Sequence, residues 1–425
     1  MNYQELISYI NNGGIDDALK KITCNDDVTS ERQRYLSLLD EAYKLYGDGD
    51  YHFISSPGRS EIGGNHTDHQ HGHVVACGLN IDNVVVVKAN GTNVCNYLDK
   101  LFNPVKADIS DLKINEEQFN TSESLIRGVA ARLNELGYKI GGFDALCESH
   151  VLIGSGISSS ACFEVMLVEI FNALFNEDKI SPVDRAIIGQ YAENVYFGKP
   201  SGLMDQMAIS VGSFIAINFK DPNKPVIENY EFSYDDYGYE FVLINTKGDH
   251  ADLSHEYAAI PNEIKEVAKL LGVEYLADSS KEELMNNFSK IRNTVKNDRA
   301  VLRALHFYNE DERAIKQKEA IKNKDIKGLL HLMKESGRSS YEYLQNVYPA
   351  SRPSSQSLAI GLCLADDILK DDGAYRVHGG GFDGTIQCIV PKDKMIEFST
   401  TMAKTFGEDS ILTAKVRPVG TKLIV

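Results

Sequence analysis

The sequence predicts an α+β protein of two domains, and three observations carry that prediction. A chain of 425 residues exceeds what one small core organises. Helical and strand-like periodicities alternate through the first half. Near 220–238 the texture changes to the polar, proline-containing, turn-rich stretch FKDPNKPVIENYEFSYDDYG. Beyond it, long helical patterns mix with short strands, as expected of a small antiparallel sheet packed with helices. The boundary is placed at 225/226, giving domains 1–225 and 226–425.

The elements follow in order. ERQRYLSLLDEAYKLY at 31–46 repeats apolar residues at helical spacing and ends before Gly47. VVACGLN and IDNVVVVKAN read as two adjacent strands, with Val84 to Val87 buried on both faces. Residues 122–136 read as a helix stopped by Gly137. VLIGSGISSSACFEVMLVEIFNALF is a short apolar stretch, a glycine turn and a long helix. Ser181 is an N-cap, with Pro182 at the first helical position and Asp184 three residues after the cap. YEFVLINT at 239–246 reads as a strand. Helices are expected around 261–271, 281–305, 324–336 and 354–366, and strands at 374–378, 385–390 and 412–416.

Composition narrows the function. Hydrophobic content of 43% with 25% charged residues is that of an ordinary globular chain. A formal charge of -17 argues against a nucleic-acid groove, which needs a basic surface, but leaves nucleotides open. The start, MNYQELISYINNGG, lacks the basic and apolar regions of a signal peptide. No apolar run approaches the roughly 20 residues of a membrane helix, so a cytoplasmic protein is expected. The seven cysteines are scattered without a CxxC and read as buried thiols in a reducing compartment.

Four segments carry candidate chemistry. SPGRSEIGGNHTDHQHGH at 56–73 holds His66, His69, His71 and His73 with Asp68 among them. It reads either as a metal site or, given its Pro-Gly-Arg turn and paired glycines, as a loop around a small ligand. If the chain is extended from 69 onward, His69, His71 and His73 share one face. GSGISSSA at 154–161 puts glycines and three serines where a helix begins, a place whose N–H groups and partial positive charge suit phosphate. It lacks the lysine of a Walker A loop and is not a complete GxGxxG. An ordinary helix cap is the alternative. Glu193, and Asp205 in the apolar segment LMDQMAISVGSFIAI, are acids that need a partner or a cation. Carboxylate, serine and phosphate oxygens suit Mg²⁺, and a buried ion pair is the other reading. RVHGGGFDG at 376–384 is a glycine cluster following a strand.

In this order and together, PGRSEIGGNHTDHQHG, GSGISSSA with AENVYFGKPSGLMDQ, and RVHGGGFDG resemble the three motifs of the galactokinase group. That group belongs to a small-molecule kinase superfamily with the homoserine, mevalonate and phosphomevalonate kinases. The resemblance implies the two-domain α+β fold of that superfamily, with the active site between the domains. It implies ATP phosphates over Gly154, Ser155, Gly156, Ile157, Ser158, Ser159 and Ser160, and Mg²⁺ held by Ser160 and Glu193. Asp205 would be the catalytic acid group beside the sugar hydroxyl, with Arg59 holding it ionised. Asn65, His66 and Asp68 would face the sugar, with Tyr257 packed nearby and Gly379, Gly380 and Gly381 forming the third motif. The implied reaction is phosphorylation of the anomeric hydroxyl of α-D-galactose by ATP, in a monomer with no nucleic-acid or membrane partner. Whether Asp205 abstracts the proton or chiefly orients the hydroxyl stays open at this point.

Several positions depart from the pattern. Asn65 stands where the group has glutamate, Glu61 where it has asparagine, and Gly63 where it has isoleucine. Asp383 replaces a glycine, His378 a threonine, and Ala258-Ala259-Ile260-Pro261 follows Tyr257 instead of an arginine pair. Asparagine both donates and accepts where glutamate only accepts, so another sugar, N-acetylgalactosamine or L-arabinose, is an alternative substrate. A sugar and ATP sensor without turnover is a third reading, opposed by the presence of Ser160, Glu193 and Asp205.

Overall fold

The computed structural model describes residues 1–151, 156–248, 253–382 and 384–425, and of Ser254 the backbone only. Its spine is an antiparallel pair, β1 (His52–Gly63) and β2 (His73–Ala89). The two short strands expected across 74–90 are one strand of 17 residues. It stays continuous because its halves pair with different neighbours: residues 83–89 with β5 (Phe143–Ser149), and 73–77 with β6 (Phe214–Asn218). β3 (Val94–Asp99) and β4 (Val105–Asp108) extend the sheet beyond β5, with β3 parallel to β5. β7 (Val226–Tyr230) pairs with β6, and β12 (Lys422–Leu423) returns from the C-terminus to pair with β1. The 225/226 boundary therefore falls between two paired strands, and the last residues of the chain rejoin the first sheet.

Val84 to Val87 are buried because both faces of this sheet are covered. Val84 and Val86 face α1 (Tyr3–Asn11), α2 (Asp16–Thr23) and α3 (Thr29–Tyr46), through Leu6, Leu19, Leu38 and Leu39. Val85 and Val87 face α4 (Ser122–Glu135), α5 (Ser159–Phe175) and α6 (Pro182–Tyr191), through Ile126, Val129, Met166 and Ile188. Successive side chains alternate between faces, and each face supplies a helical layer. α6 is capped as expected, Ser181 accepting from the Asp184 N–H. A short helix, α7 (Met204–Val211), packs against β1 and β2.

The second sheet is antiparallel, in the order β11 (Ile411–Ala414), β8 (Tyr239–Asn245), β10 (Thr385–Pro391), β9 (Ala374–Val377). One face carries Leu358 and Leu362 of α13 (Ser357–Leu369), and Phe398 and Met402 of α14 (Met395–Phe406). Its other face, with Phe241, Leu243 and Ile389, shares a core with Val75, Cys77, Ile157 and Val165 of the first half. This common core brings the ends of β1, α5 and β9 together.

The helices between β8 and β9 differ from the sequence reading. α8 (Ser254–Leu270) begins seven residues before Pro261, which lies inside it. The single helix expected at 281–305 is three: α9 (Lys281–Asn286), α10 (Phe288–Val295) and α11 (Asp298–Lys322). Lys296 ends α10 in the left-handed conformation, and the Asn297 side chain restarts the chain by capping α11. α12 (Ile326–Ser339) then packs along α11. Cysteines 77, 95, 147, 162 and 388 are buried free thiols, whereas Cys363 is exposed and Cys24 half-buried. Among the described residues no helix is long and apolar enough to cross a membrane.

Candidate active site

The Pro-Gly-Arg segment is strand, not turn: it lies within β1, where register shifts at Pro57/Arg59 and Glu61/Gly63 bend the strand. Such bulges re-aim side chains, and here the one re-aimed is Arg59. Its backbone N–H donates to the Ile157 carbonyl at 3.1 Å, and its Nη1 to the Gly156 carbonyl at 2.5 Å. Nε and Nη2 then grip Asp205 side-on, at 2.6 Å to Oδ1 and 2.7 Å to Oδ2. A third donor, the Ser158 hydroxyl, reaches Asp205 Oδ2 at 2.6 Å. Burial pushes the Asp205 carboxyl up, but the Arg59 charge and these hydrogen bonds outweigh it and hold the group below its ordinary range. Asp205 also stands in the first turn of α7, where the helix favours an anion.

Ser158 precedes α5 in the left-handed conformation, and its hydroxyl, engaged with Asp205, makes no cap. The first turn of a 17-residue helix thus keeps N–H groups without a side-chain acceptor, and Ser159 and Ser160 sit there half-buried. Gly154 and Ser155 of the expected phosphate loop lie outside the described residues. Gly156 adopts φ +80°, and a Cβ there would stand 3.1 Å from His378 Nδ1.

Glu193 falls in a π-turn, Ala192–Phe197, directly after α6. Its Oε1 is 3.0 Å from Lys199 Nζ, and its Oε2 accepts from Gln206 Nε2 at 2.9 Å. The same Gln206 nitrogen donates to buried Glu164, whose carboxyl is pushed well above its ordinary value by burial and by the Glu193 charge. Glu164, Lys199 and Gln206 were not singled out in the sequence. Gln206, one residue after Asp205, was the readable signal.

The third motif closes the other side. Asn65 Nδ2 donates to the Gly379 carbonyl at 2.8 Å. Asn346 Nδ2 donates to the Gly380 carbonyl at 3.1 Å, and the Tyr257 hydroxyl to the Gly381 carbonyl at 2.9 Å. A Cβ on Gly380 would stand 2.5 Å from the Tyr257 ring, so only glycine lets this backbone lie against the tyrosine. Asp383 is outside the described residues.

The segment expected to face a sugar divides. Asn65 is 1% exposed and fully engaged: Nδ2 donates to Glu61 and Gly379, and Oδ1 accepts from Asn346 Nδ2 at 2.9 Å and Ser340 Oγ at 3.4 Å. An amide has two N–H groups and two lone pairs, so nothing remains for a ligand. Asn65 joins the loop to β9 through Glu61, which pairs with buried Arg376 at 2.7 Å. His66 and Asp68 are half-buried. Burial, reinforced by His69, pushes His66 down to about 3, so its ring is neutral, with Nε2 3.4 Å from the Gly380 carbonyl. Asp68 accepts from the His69 N–H at 3.0 Å, and its carboxylate lies directly against Gly202, close in sequence to Asp205.

His69, His71 and His73 do not share a face. Asp68–Gln70 is a 3₁₀ turn and His71 is left-handed, which rotates each ring differently. His71 stacks on Tyr275, ring centroids 3.6 Å apart, while His73 Nδ1 is 3.0 Å from Asp311. Among the described residues no three metal-ligating side chains converge.

Residues 43–89 match the family described as the galactokinase galactose-binding signature, and 124–213 the GHMP kinases N terminal domain. A galactokinase of Clostridium tetani is 29% identical over 376 residues, covering 87% of this chain and 92% of that protein. One from Limosilactobacillus reuteri is 27% identical, covering 89% and 95%. Among solved structures, Lactococcus lactis galactokinase complexed with galactose superposes with a TM-score of 0.78 at 22% identity, covering 91% of this chain and 99% of that one. Methanococcus jannaschii mevalonate kinase gives 0.62 at 15% identity, covering 87% and 99%.

Proposed function

We propose that this chain, which belongs to the GHMP kinase superfamily of ATP-dependent kinases, phosphorylates the anomeric hydroxyl of α-D-galactose, giving galactose 1-phosphate and ADP. The observation that carries the reading is the triple grip on Asp205 by Arg59 and Ser158, at the meeting of the first two motifs. Phosphoryl transfer needs alignment and charge compensation more than covalent help. Asp205 accepts the hydrogen of the attacking hydroxyl and fixes its direction. A carboxylate held below its ordinary range is a weak base, so the proton passes to it late, as the oxygen–phosphorus bond forms. Arg59 offsets charge, and the uncapped first turn of α5 offers N–H groups to the phosphates.

Ser160 and Glu193 are oxygen donors that fit Mg²⁺. Glu193 Oε1 is 3.0 Å from Lys199 Nζ, whose side chain is 58% exposed. When bound, the cation neutralises phosphate charge. His66 and Asp68 line the sugar side with Tyr257 and the Gly379–Gly381 backbone behind them. Asn65 supports the loop without touching the sugar. That last point favours one second reading, a kinase for N-acetylgalactosamine or L-arabinose, because the sugar edge at this position is read by other groups.

The test is ADP release from Mg-ATP across galactose, N-acetylgalactosamine, arabinose, glucose and mannose, followed by mapping of the phosphorylated hydroxyl by NMR. Galactose is expected to be turned over best, with a 1-phosphate product. Rejection of galactose with turnover of another sugar moves the assignment to the second reading. Binding of both ligands without ADP from any sugar refutes both.

A further expectation concerns Gly202. An alanine Cβ there would overlap Asp68 Oδ2, and that carboxylate must turn away. Gly202→Ala is expected to raise KM for the sugar about 10–100-fold, the worth of one charged hydrogen bond, with KM for ATP nearly unchanged. Equal rises in both constants would remove Asp68 from the sugar side.

A further inference from the structure

The loop between β1 and β2 begins with a β-turn over residues 64–67. The Thr67 N–H donates to the Gly64 carbonyl at 3.0 Å. His66, the third residue of the turn, is left-handed with φ 60°, whereas Asn65 is not left-handed. This is the type II pattern, which calls for glycine or asparagine at the third position, yet a histidine stands there. Types I and II differ by rotation of the central peptide, here the one joining Asn65 to His66. A histidine under no other constraint takes the type I form, with negative φ. The peptide must therefore be held from outside the turn.

α11 holds it. His306 and Glu310, one helical turn apart, are 1% and 0% exposed, where an apolar seam would be expected. The Asn65 carbonyl, which belongs to the central peptide, is 2.9 Å from His306 Nε2. His306 Nδ1 is 2.9 Å from Ser339 Oγ at the end of α12. A carbonyl only accepts, so Nε2 carries the hydrogen and Nδ1 accepts the Ser339 hydroxyl. Burial pushes the ring pKa down, which keeps it neutral in this one tautomer. Glu310 Oε1 accepts the Gly64 N–H at 3.0 Å and the Ser336 hydroxyl, and Arg313 pairs with Oε2. The turn is thus fixed at its first residue by Glu310 and at its central peptide by His306. Rotating that peptide would leave the His306 donor buried and unpaired, which opposes the rotation.

We infer that His306 is a positioning residue for sugar recognition: by holding the Asn65 carbonyl it keeps the 64–67 turn in its type II form and so aims the His66 ring at the sugar. The inference rests on the kinase reading, in which His66 lines the sugar side. The hydrogen-bond partners of His306 belong to this loop and to α12, not to the phosphate loop, so its effect falls on the sugar and not on ATP.

Steady-state kinetics and a crystal structure of His306→Phe, set beside the wild type, test this. The substitution keeps a ring of similar size and removes the donor. KM for the sugar that the wild type turns over best, galactose on the reading above, is expected to rise about 5–20-fold, the worth of one hydrogen bond. KM for ATP should stay within about twofold. The structure of the variant should show the 65–66 peptide rotated and His66 at negative φ. His306→Gln, which restores an N–H at similar reach, should return the sugar KM to within about threefold of wild type. His66 still left-handed in His306→Phe, a sugar KM that does not move, or equal rises in both KM values overturns the inference and leaves the kinase reading in place. A wild type that turns over no sugar of the panel refutes that reading, and the inference with it. Should His306→Phe fail to fold, His306→Leu combined with Ser339→Ala, which leaves no unpaired hydroxyl, carries the same expectations.

Discussion

Asp205→Ala is expected to lower kcat by about three orders of magnitude or more, leaving KM for ATP within about threefold of wild type. The substitution removes the one carboxylate that Arg59 and Ser158 both serve. Arg59 keeps its bond to the Gly156 carbonyl, and the first turn of α5 is not touched, so the nucleotide side persists. Asp205→Asn separates charge from shape: it fills the same space but presents N–H groups to a guanidinium. It should fall nearly as far as alanine if ionisation matters, and stay within about tenfold of wild type if the side chain only fills space. The pH profile gives an independent check. The folded carboxyl lies below its unfolded value of about 3.9, so the Arg59 pair contributes stability that is full above that value. The contribution is lost only as pH falls through the depressed folded value. Asp205 should therefore give no acid limb in kcat between pH 5 and 8. An acid limb near neutrality that vanishes in Asp205→Asn, or alanine turnover within tenfold of wild type, would remove Asp205 from the chemistry as described.

Much of this was legible in the sequence where local chemistry dictates local structure. The α6 cap, the helix ends before Gly47 and Gly137, and the strands 239–245 and 385–391 follow from caps, glycines and apolar periodicity. What could not be read depends on partners distant in the chain. A strand whose halves bind β5 and β6 looks like two strands, because the sequence carries no sign of neighbours some 60 and 140 residues away. The break of 281–305 rested on a left-handed lysine and an asparagine cap, both of which read as ordinary helix-face residues. The three spaced histidines presupposed an extended chain, and a 3₁₀ turn replaced it. At the site, the residue types were readable by motif, but the saturation of Asn65 was not. It depends on Ser340 and Asn346, some 280 residues later, and on a carbonyl of the third motif. A carboxylate at 61 and an amide at 65 looked like two independent departures. Their direct hydrogen bond at 2.9 Å shows one buried assembly.

That assembly yields the largest expected effect on stability. Arg376 in β9 is 0% exposed and Glu61 in β1 nearly so; among the described residues Glu61 is the only carboxylate Arg376 touches, and its Nε and Nη1 have no partner. Breaking a buried pair by removing one partner costs about 3–5 kcal/mol, but the two halves should not cost the same. Burial raises the Glu61 carboxyl above its ordinary range even with Arg376 pulling it down. Without Arg376 it can take a proton and stay bonded to Asn65, whereas without Glu61 the guanidinium has no neutral form to adopt. Glu61→Gln should therefore lie at the upper end of that range and Arg376→Met at the lower. The sign of the pH dependence follows. In Arg376→Met the folded pKa of Glu61 rises further above the unfolded value of about 4.3, so stability is full below that value and declines as pH rises through the folded one. Urea midpoints at pH 5 and pH 8 should separate for Arg376→Met relative to wild type and stay parallel for Glu61→Gln. The double variant should cost less than the sum, because no lone charge remains buried. Equal costs in both singles without pH dependence, or a double variant that equals their sum, would mean that the pair is not the electrostatic tie between the two sheets.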